Sequence, residues 1–101
     1  MRRTHALVQI AMALMNDQGG SHWGYDLGKR SGVRSGVLYP VLSRMLAEGW
    51  LTDGWESQIE AKGRRPRRYY KLTDLGRRQL GGLLDGSRLD PRFAALFGAW
   101  S

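Results

Sequence analysis

Residues 35–73 read SGVLYPVLSRMLAEGWLTDGWESQIEAKGRRPRRYYKLT, and a change of period inside this stretch decides the fold. As far as Gly49 the apolar residues Leu38, Val41, Leu42, Met45 and Leu46 recur on one helical face, with Ser35 as the expected N-cap and Gly49 as the stop. Pro40 lacks an N–H and removes one helical hydrogen bond, but it lies early enough to leave most of the helix intact. Beyond Gly49 the pattern turns extended. WLTDGWES (50–57) and RRYYKLT (67–73) are rich in Trp, Tyr and Thr and predict two strands, joined by the basic link SQIEAKGRRP. In the second strand Tyr70 and Leu72 share the face expected to meet the core, which turns Tyr69 and its basic neighbours outward.

Working outward, Thr4 caps a helix to Asp17 in which Leu7, Ile10, Ala11, Leu14 and Met15 recur at helical spacing. A glycine turn follows, then a short helix over Tyr25–Arg30 closed by Gly32. On the other side Thr73 caps a helix carrying Leu75, Leu80, Leu83 and Leu84, weakened by Gly76, Gly81 and Gly82. Asp90 and Pro91 open a last helix, with Phe93, Leu96, Phe97 and Trp100 on one stripe. The order helix, helix, helix, strand, basic loop, strand, helix is mainly α with a two-stranded β-wing: a winged helix-turn-helix domain over residues 1–86 and a short C-terminal helical segment over residues 87–101.

The 101-residue chain holds 16 Lys and Arg against 9 Asp and Glu, a formal net charge of +7. Eight of the 16 fall between Lys62 and Arg78, opposed there only by Asp74. Such local crowding favours a polyanionic partner, because phosphates neutralise it while counterions are released. With no cysteine, disulfides and thiolate chemistry are excluded. The apolar run from Ala6 to Met15 is too short to span a bilayer and lacks a signal-peptide cleavage pattern, so a cytoplasmic location is expected. Only His5 and His22 are present, no His and carboxylate cluster has metal spacing, and no phosphate-binding glycine loop occurs. No catalytic role, metal or cofactor is expected.

The architecture places the third helix in a major groove with the hairpin beside it. Arg34, Ser35 and Gly36 sit at its N-terminus, where small residues and free amides allow close approach to a phosphate. Tyr39 and Arg44 lie off its apolar face. Lys62, Arg64, Arg65, Arg67 and Arg68 crowd the wing around Gly63 and Pro66, suited to the backbone or to a narrow minor groove, and Tyr69 is expected outward beside them. A winged-helix module for protein contacts or RNA is the competing reading, since Trp50, Trp55 and Tyr69 beside basic residues suit stacking on unpaired bases; packing of both tryptophans under the wing is the simpler account.

Three segments carry a resemblance. Gly24 and Tyr25 open the second helix, Leu38, Tyr39 and Pro40 lie in the third, and Tyr70, Leu72, Thr73 and Gly76 follow the wing. Together they resemble the PadR family of transcriptional regulators over roughly residues 5–80. The resemblance implies a repressor released from its operator by a small-molecule effector of unspecified identity. It also implies backbone contacts from Tyr39 and the basic wing, and Tyr25 joins this expected DNA-contacting set. A palindromic operator on double-stranded DNA requires a homodimer, whose expected interface combines Leu7, Ile10 and Leu14 of the first helix with Phe93, Leu96, Phe97 and Trp100.

Overall fold

The computed structural model describes residues 1–98. Helix α1 (His5–Met15) is capped by Thr4, whose Oγ1 accepts the Leu7 N–H at 3.1 Å. Leu7, Val8, Ile10, Ala11 and Leu14 are all buried, so α1 is apolar around most of its circumference and forms the axis of the core. This overturns one expectation: Leu7, Ile10 and Leu14 are at most 1% exposed within a single chain and offer no surface to a second copy.

A strand the periodicity did not announce comes next. β1 (His22–Trp23) pairs antiparallel with β3 (Arg68–Leu72), His22 opposite Tyr70 and Trp23 opposite Tyr69. β3 pairs on its other edge with β2 (Leu51–Trp55), in a register that sets Leu51 against Leu72 and Trp55 against Arg68. The sheet therefore has three strands in the order β1-β3-β2 rather than the two of a bare hairpin. Tyr70 and Leu72 face the core as their alternation required.

α2 (Gly24–Ser31) stops at Gly32, whose φ of 73° lies in the left-handed region. α3 (Ser35–Ala47) begins one residue earlier than expected: Arg34 occupies the N-cap, Ser35 is the first helical residue, and no side chain caps the end. Its C-terminus is a Schellman turn. The Gly49 N–H reaches the Leu46 carbonyl at 3.1 Å and the Trp50 N–H reaches that of Met45 at 2.9 Å, with Gly49 at φ 77°. Leu38, Leu42 and Met45 bury the inner face.

The link between β2 and β3 holds a one-turn helix, α4 (Gln58–Ala61), closed by a capping box. Ser57 Oγ accepts the Glu60 N–H at 3.1 Å, and Glu60 Oε1 accepts the Ser57 N–H at 2.8 Å. Lys62 and Gly63 then reverse the chain with positive φ.

α5 (Asp74–Arg88) is joined to the wing by Thr73, whose Oγ1 accepts the Gly76 N–H and donates to the Gly49 carbonyl at 2.6 Å. Leu80 and Leu84 pack it against the core. The helix runs unbroken through residues 86 and 87, so the division expected there falls inside an element. A 3-10 turn (Pro91–Phe97) replaces the expected final α-helix, with Asp90 accepting the Arg92 N–H at its start. Three residues per turn break the expected stripe. Phe93 enters the core beside His5, at 4.9 Å between ring centroids, while Leu96 and Phe97 are half-buried; Trp100 lies outside the described residues. No helix among the described residues is long and apolar enough to cross a membrane.

Candidate nucleic-acid interface

The outer face of α3 carries Gly36, Pro40, Ser43 and Ala47, all exposed and spaced four, three and four residues apart, flanked by Tyr39 and Arg44. A ridge of small residues lets the helix axis come close to a partner, and only the flanks bear long side chains. At the N-terminus the Arg34 carbonyl accepts from Val37 and Leu38 at 3.0 and 2.8 Å, while the amides of Ser35 and Gly36 precede the first helical bond. The exposed Arg34 lies beside these amides. Arg44 meets Glu48 at 3.6 Å in an exposed i,i+4 pair. Such pairs are worth only about 0.3–0.5 kcal/mol and open readily.

Tyr39 is 44% exposed and its ring lies across Gly24, where any side chain would strike the hydroxyl end of the phenol. This contact gives the Gly24–Tyr25 and Leu38–Tyr39–Pro40 segments a shared physical reason. Around it Trp23, Tyr25, Tyr39 and Tyr70 meet Arg67 and Arg68 in a cleft of about 250 Å³. Tyr25 projects at its rim, 73% exposed, with the Lys29 ammonium 5.3 Å from its ring. The Arg67 guanidinium lies 4.6 Å from the Trp23 ring and that of Arg68 lies 5.2 Å from the Tyr70 ring. Trp23 and Lys29 went unread in the sequence, because the strand that brings Trp23 here is only two residues long and Lys29 looks like any solvated helix charge.

The wing differs from its expected appearance. Glu56 is buried and accepts from Arg64 through both carboxylate oxygens, Nη1 to Oε1 at 2.6 Å and Nη2 to Oε2 at 3.0 Å. It also accepts the Arg67 N–H at 2.9 Å and Arg67 Nε at 3.3 Å. The Arg64 hydrogen bonds, followed by those of Arg67, hold its pKa down at about 2 against the opposing effect of burial. Arg68 donates Nε to Asp53 at 2.8 Å. The crowding read as a need for phosphate is thus relieved in part within the chain. Lys62 and Arg65 are exposed at the tip with no carboxylate partner among the described residues. Tyr69, expected outward, is half-buried edge-on to Trp23 at 5.6 Å, beneath Lys71 and against Gly54. Trp50 is half-buried at the core, whereas Trp55 is 64% exposed rather than packed under the wing.

Comparisons with known proteins agree with this geometry. The profile of the transcriptional regulator PadR-like family matches residues 13–82. No functionally curated protein matches the chain. A PadR family transcription regulator from hypervirulent Clostridium difficile R20291 superposes with a TM-score of 0.71 at 20% identity, covering 93% of this chain and 98% of the other. One from Eggerthella lenta DSM 2243 gives 0.63 at 26% identity over 90% and 83%. The protein smu.1704 from Streptococcus mutans UA159 gives 0.65 at 23% identity over 85% and 82%. The winged-helix fold, the exposed third helix beside a basic wing and a family match across most of the chain make this a DNA-binding transcription regulator rather than an enzyme, and the chain belongs to the PadR-like family.

Proposed function

We propose that the protein acts as a homodimeric repressor in the cytoplasm, with two copies of α3 in successive major grooves of a palindromic operator and each wing along the flanking backbone. The observation that carries this reading is the convergence of three elements on one surface. The N-terminal half of α3, the start of α2 and the start of β3 bring Tyr25, Tyr39 and Arg68 around a single cleft. Aromatic hydroxyls and guanidinium groups are the donors that phosphate oxygens accept. In this reading Arg34, Ser35 and Gly36 meet the backbone at the helix N-terminus, and Tyr25 and Tyr39 meet it at the cleft. Arg44 stands at the edge of the groove-facing ridge, and Lys62 and Arg65 lead the wing.

Recovery of bound genomic fragments, followed by footprinting at fixed salt, tests the proposal. Two protected half-sites about 34 Å apart, and reduced transcription from the adjoining promoter, are expected. Tighter binding to single strands than to duplex would favour the stacking module instead, and a single protected half-site would remove the dimer.

A further inference from the structure

The wing contains an acidic residue where a surface built only to hold phosphate would have none. Glu56 follows the last residue of β2, and its backbone N–H donates to the Arg67 carbonyl at 2.9 Å, closing the base of the wing. Its carboxylate is 5% exposed and draws in the two arginines described above, one of them in a two-pronged pair. The closure itself needs no charge. A carboxamide oxygen in the same place would still accept the Arg67 N–H, though less strongly. What the negative charge adds is retention of the Arg64 and Arg67 guanidinium groups and repulsion of any phosphate that approaches them. Three ionic side chains there contribute a net charge of only +1, while Lys62 and Arg65 keep theirs in full. Arg68 differs, since its partner Asp53 is 37% exposed and water screens that pair.

Phosphate affinity is blind to sequence, so each additional phosphate contact strengthens binding everywhere on the genome and dilutes the advantage of the operator. We propose that Glu56 is a positioning residue that masks Arg64 and Arg67, leaving the wing's phosphate contacts to Lys62, Arg65 and Arg68 and so keeping non-specific DNA affinity low. The inference rests on the DNA-binding reading above and concerns how strongly the wing grips any duplex.

The test is the dependence of binding constant on salt, measured with the full chain on a mixed-sequence duplex and on an operator duplex. Removing the mask in Glu56→Gln is expected to tighten mixed-sequence binding several-fold. The plot of log K against log salt should steepen by about one unit for each arginine released. The operator-to-random affinity ratio should fall. A merely structural carboxylate would give the reverse, weaker binding and an unchanged or shallower slope, and that result overturns the mask. In case Glu56→Gln does not fold, Arg64→Gln and Arg65→Gln test the same idea with Glu56 in place. Arg65→Gln should flatten the slope by about one unit and Arg64→Gln should leave it nearly unchanged. Equal flattening by both would show that Arg64 contacts phosphate in spite of Glu56, and the proposal fails. If the wild-type chain shows no salt-dependent duplex binding, the DNA-binding reading falls first and takes this one with it.

Discussion

Two glycines of α5 make opposite demands on the same helix. A methyl group built on Gly76 would collide with the Trp50 carbonyl, within 2.8 Å of its carbon, so the start of α5 can lie against the end of α3 only if residue 76 has no side chain. Gly82 meets nothing within 4 Å. By helix propensity alone both changes to alanine would stabilise by up to about 1 kcal/mol. Urea unfolding should therefore show Gly82→Ala more stable by about 0.5–1 kcal/mol and Gly76→Ala less stable by about 1–3 kcal/mol through overpacking; stabilisation by Gly76→Ala would refute the close approach. Sequence reading counted each glycine as a weakness of the helix, since nothing local reveals which one another element touches.

His22 shows the same limit, because its burial depends on a strand too short to read. Burial lowers its pKa below 6.5, the Arg30 charge acts in the same direction, and the hydrogen bond to the Asp17 carbonyl opposes both. Arg30 Nη2 donates to Nδ1 at 2.9 Å, so Nε2 carries the proton that it gives to the Asp17 carbonyl at 2.8 Å. The unfolded chain binds a proton near 6.5 that the folded chain resists. The stabilisation is therefore complete above that value and declines as pH falls below it, ending once the folded pKa is passed. Unfolding free energy should drop as pH falls below 6.5 in the wild type. A slope of the same size in His22→Gln would assign it to other groups.

At the scale of elements, legibility followed the length of the repeating pattern. α1, α3 and the β2–β3 hairpin each display several turns or alternations of apolar residues, and the structure has them where the pattern placed them, give or take one or two residues. β1 and α4 span two and four residues, too few to repeat a period, and emerge only from pairing with β3 and from the Ser57–Glu60 capping box. The C-terminal stripe misled because its spacing presupposes 3.6 residues per turn, which the 3-10 backbone does not supply. Within the site, Tyr39 and the N-terminus of α3 were readable, whereas the partners of the wing arginines were not. Glu56 lies eight residues from Arg64 and Asp53 fifteen from Arg68, distances that only the hairpin closes.

Pro40 is the residue of α3 that runs against its own element. It is exposed at the sixth helical position and leaves the Gly36 carbonyl without the usual amide. Pro40→Ala should therefore stabilise the protein by about 1–3 kcal/mol in urea unfolding. If stability falls, the proline is supported by packing that its exposure does not reveal. The wing has an acid limit of its own. With the Glu56 pKa lowered from 4.5 to about 2, its stabilisation is full above 4.5 and is lost as pH drops towards 2.

For the whole molecule, the question is which surface a second copy would use once α1 is recognised as core. Phe93 is also excluded, being 2% exposed. Deleting residues 90–101 would consequently be a poor test of assembly, because truncating a buried phenylalanine alone costs about 3–5 kcal/mol and would unsettle the monomer. Of the exposed apolar side chains, those away from α3 and the wing include one at the end of α5. Leu89 at the end of α5 is 88% exposed, and the half-buried Leu96 lines an open groove with Met12 and Ala13 of α1. A two-fold interface there would join the copies through a segment outside both α3 and the wing. Each α3 would be left free for its own half-site. Wild-type protein should sediment at twice 11.4 kDa at micromolar concentration. Leu89→Asp combined with Leu96→Asp should sediment as the single chain, keep its unfolding transition, and lose more affinity for a palindromic duplex than for an isolated half-site. Because neither residue contributes a fully buried side chain to the core, loss of the dimer with retention of the fold would place the contact at this surface. A wild-type chain that remains at 11.4 kDa and still binds the palindrome tightly would end the two-fold reading.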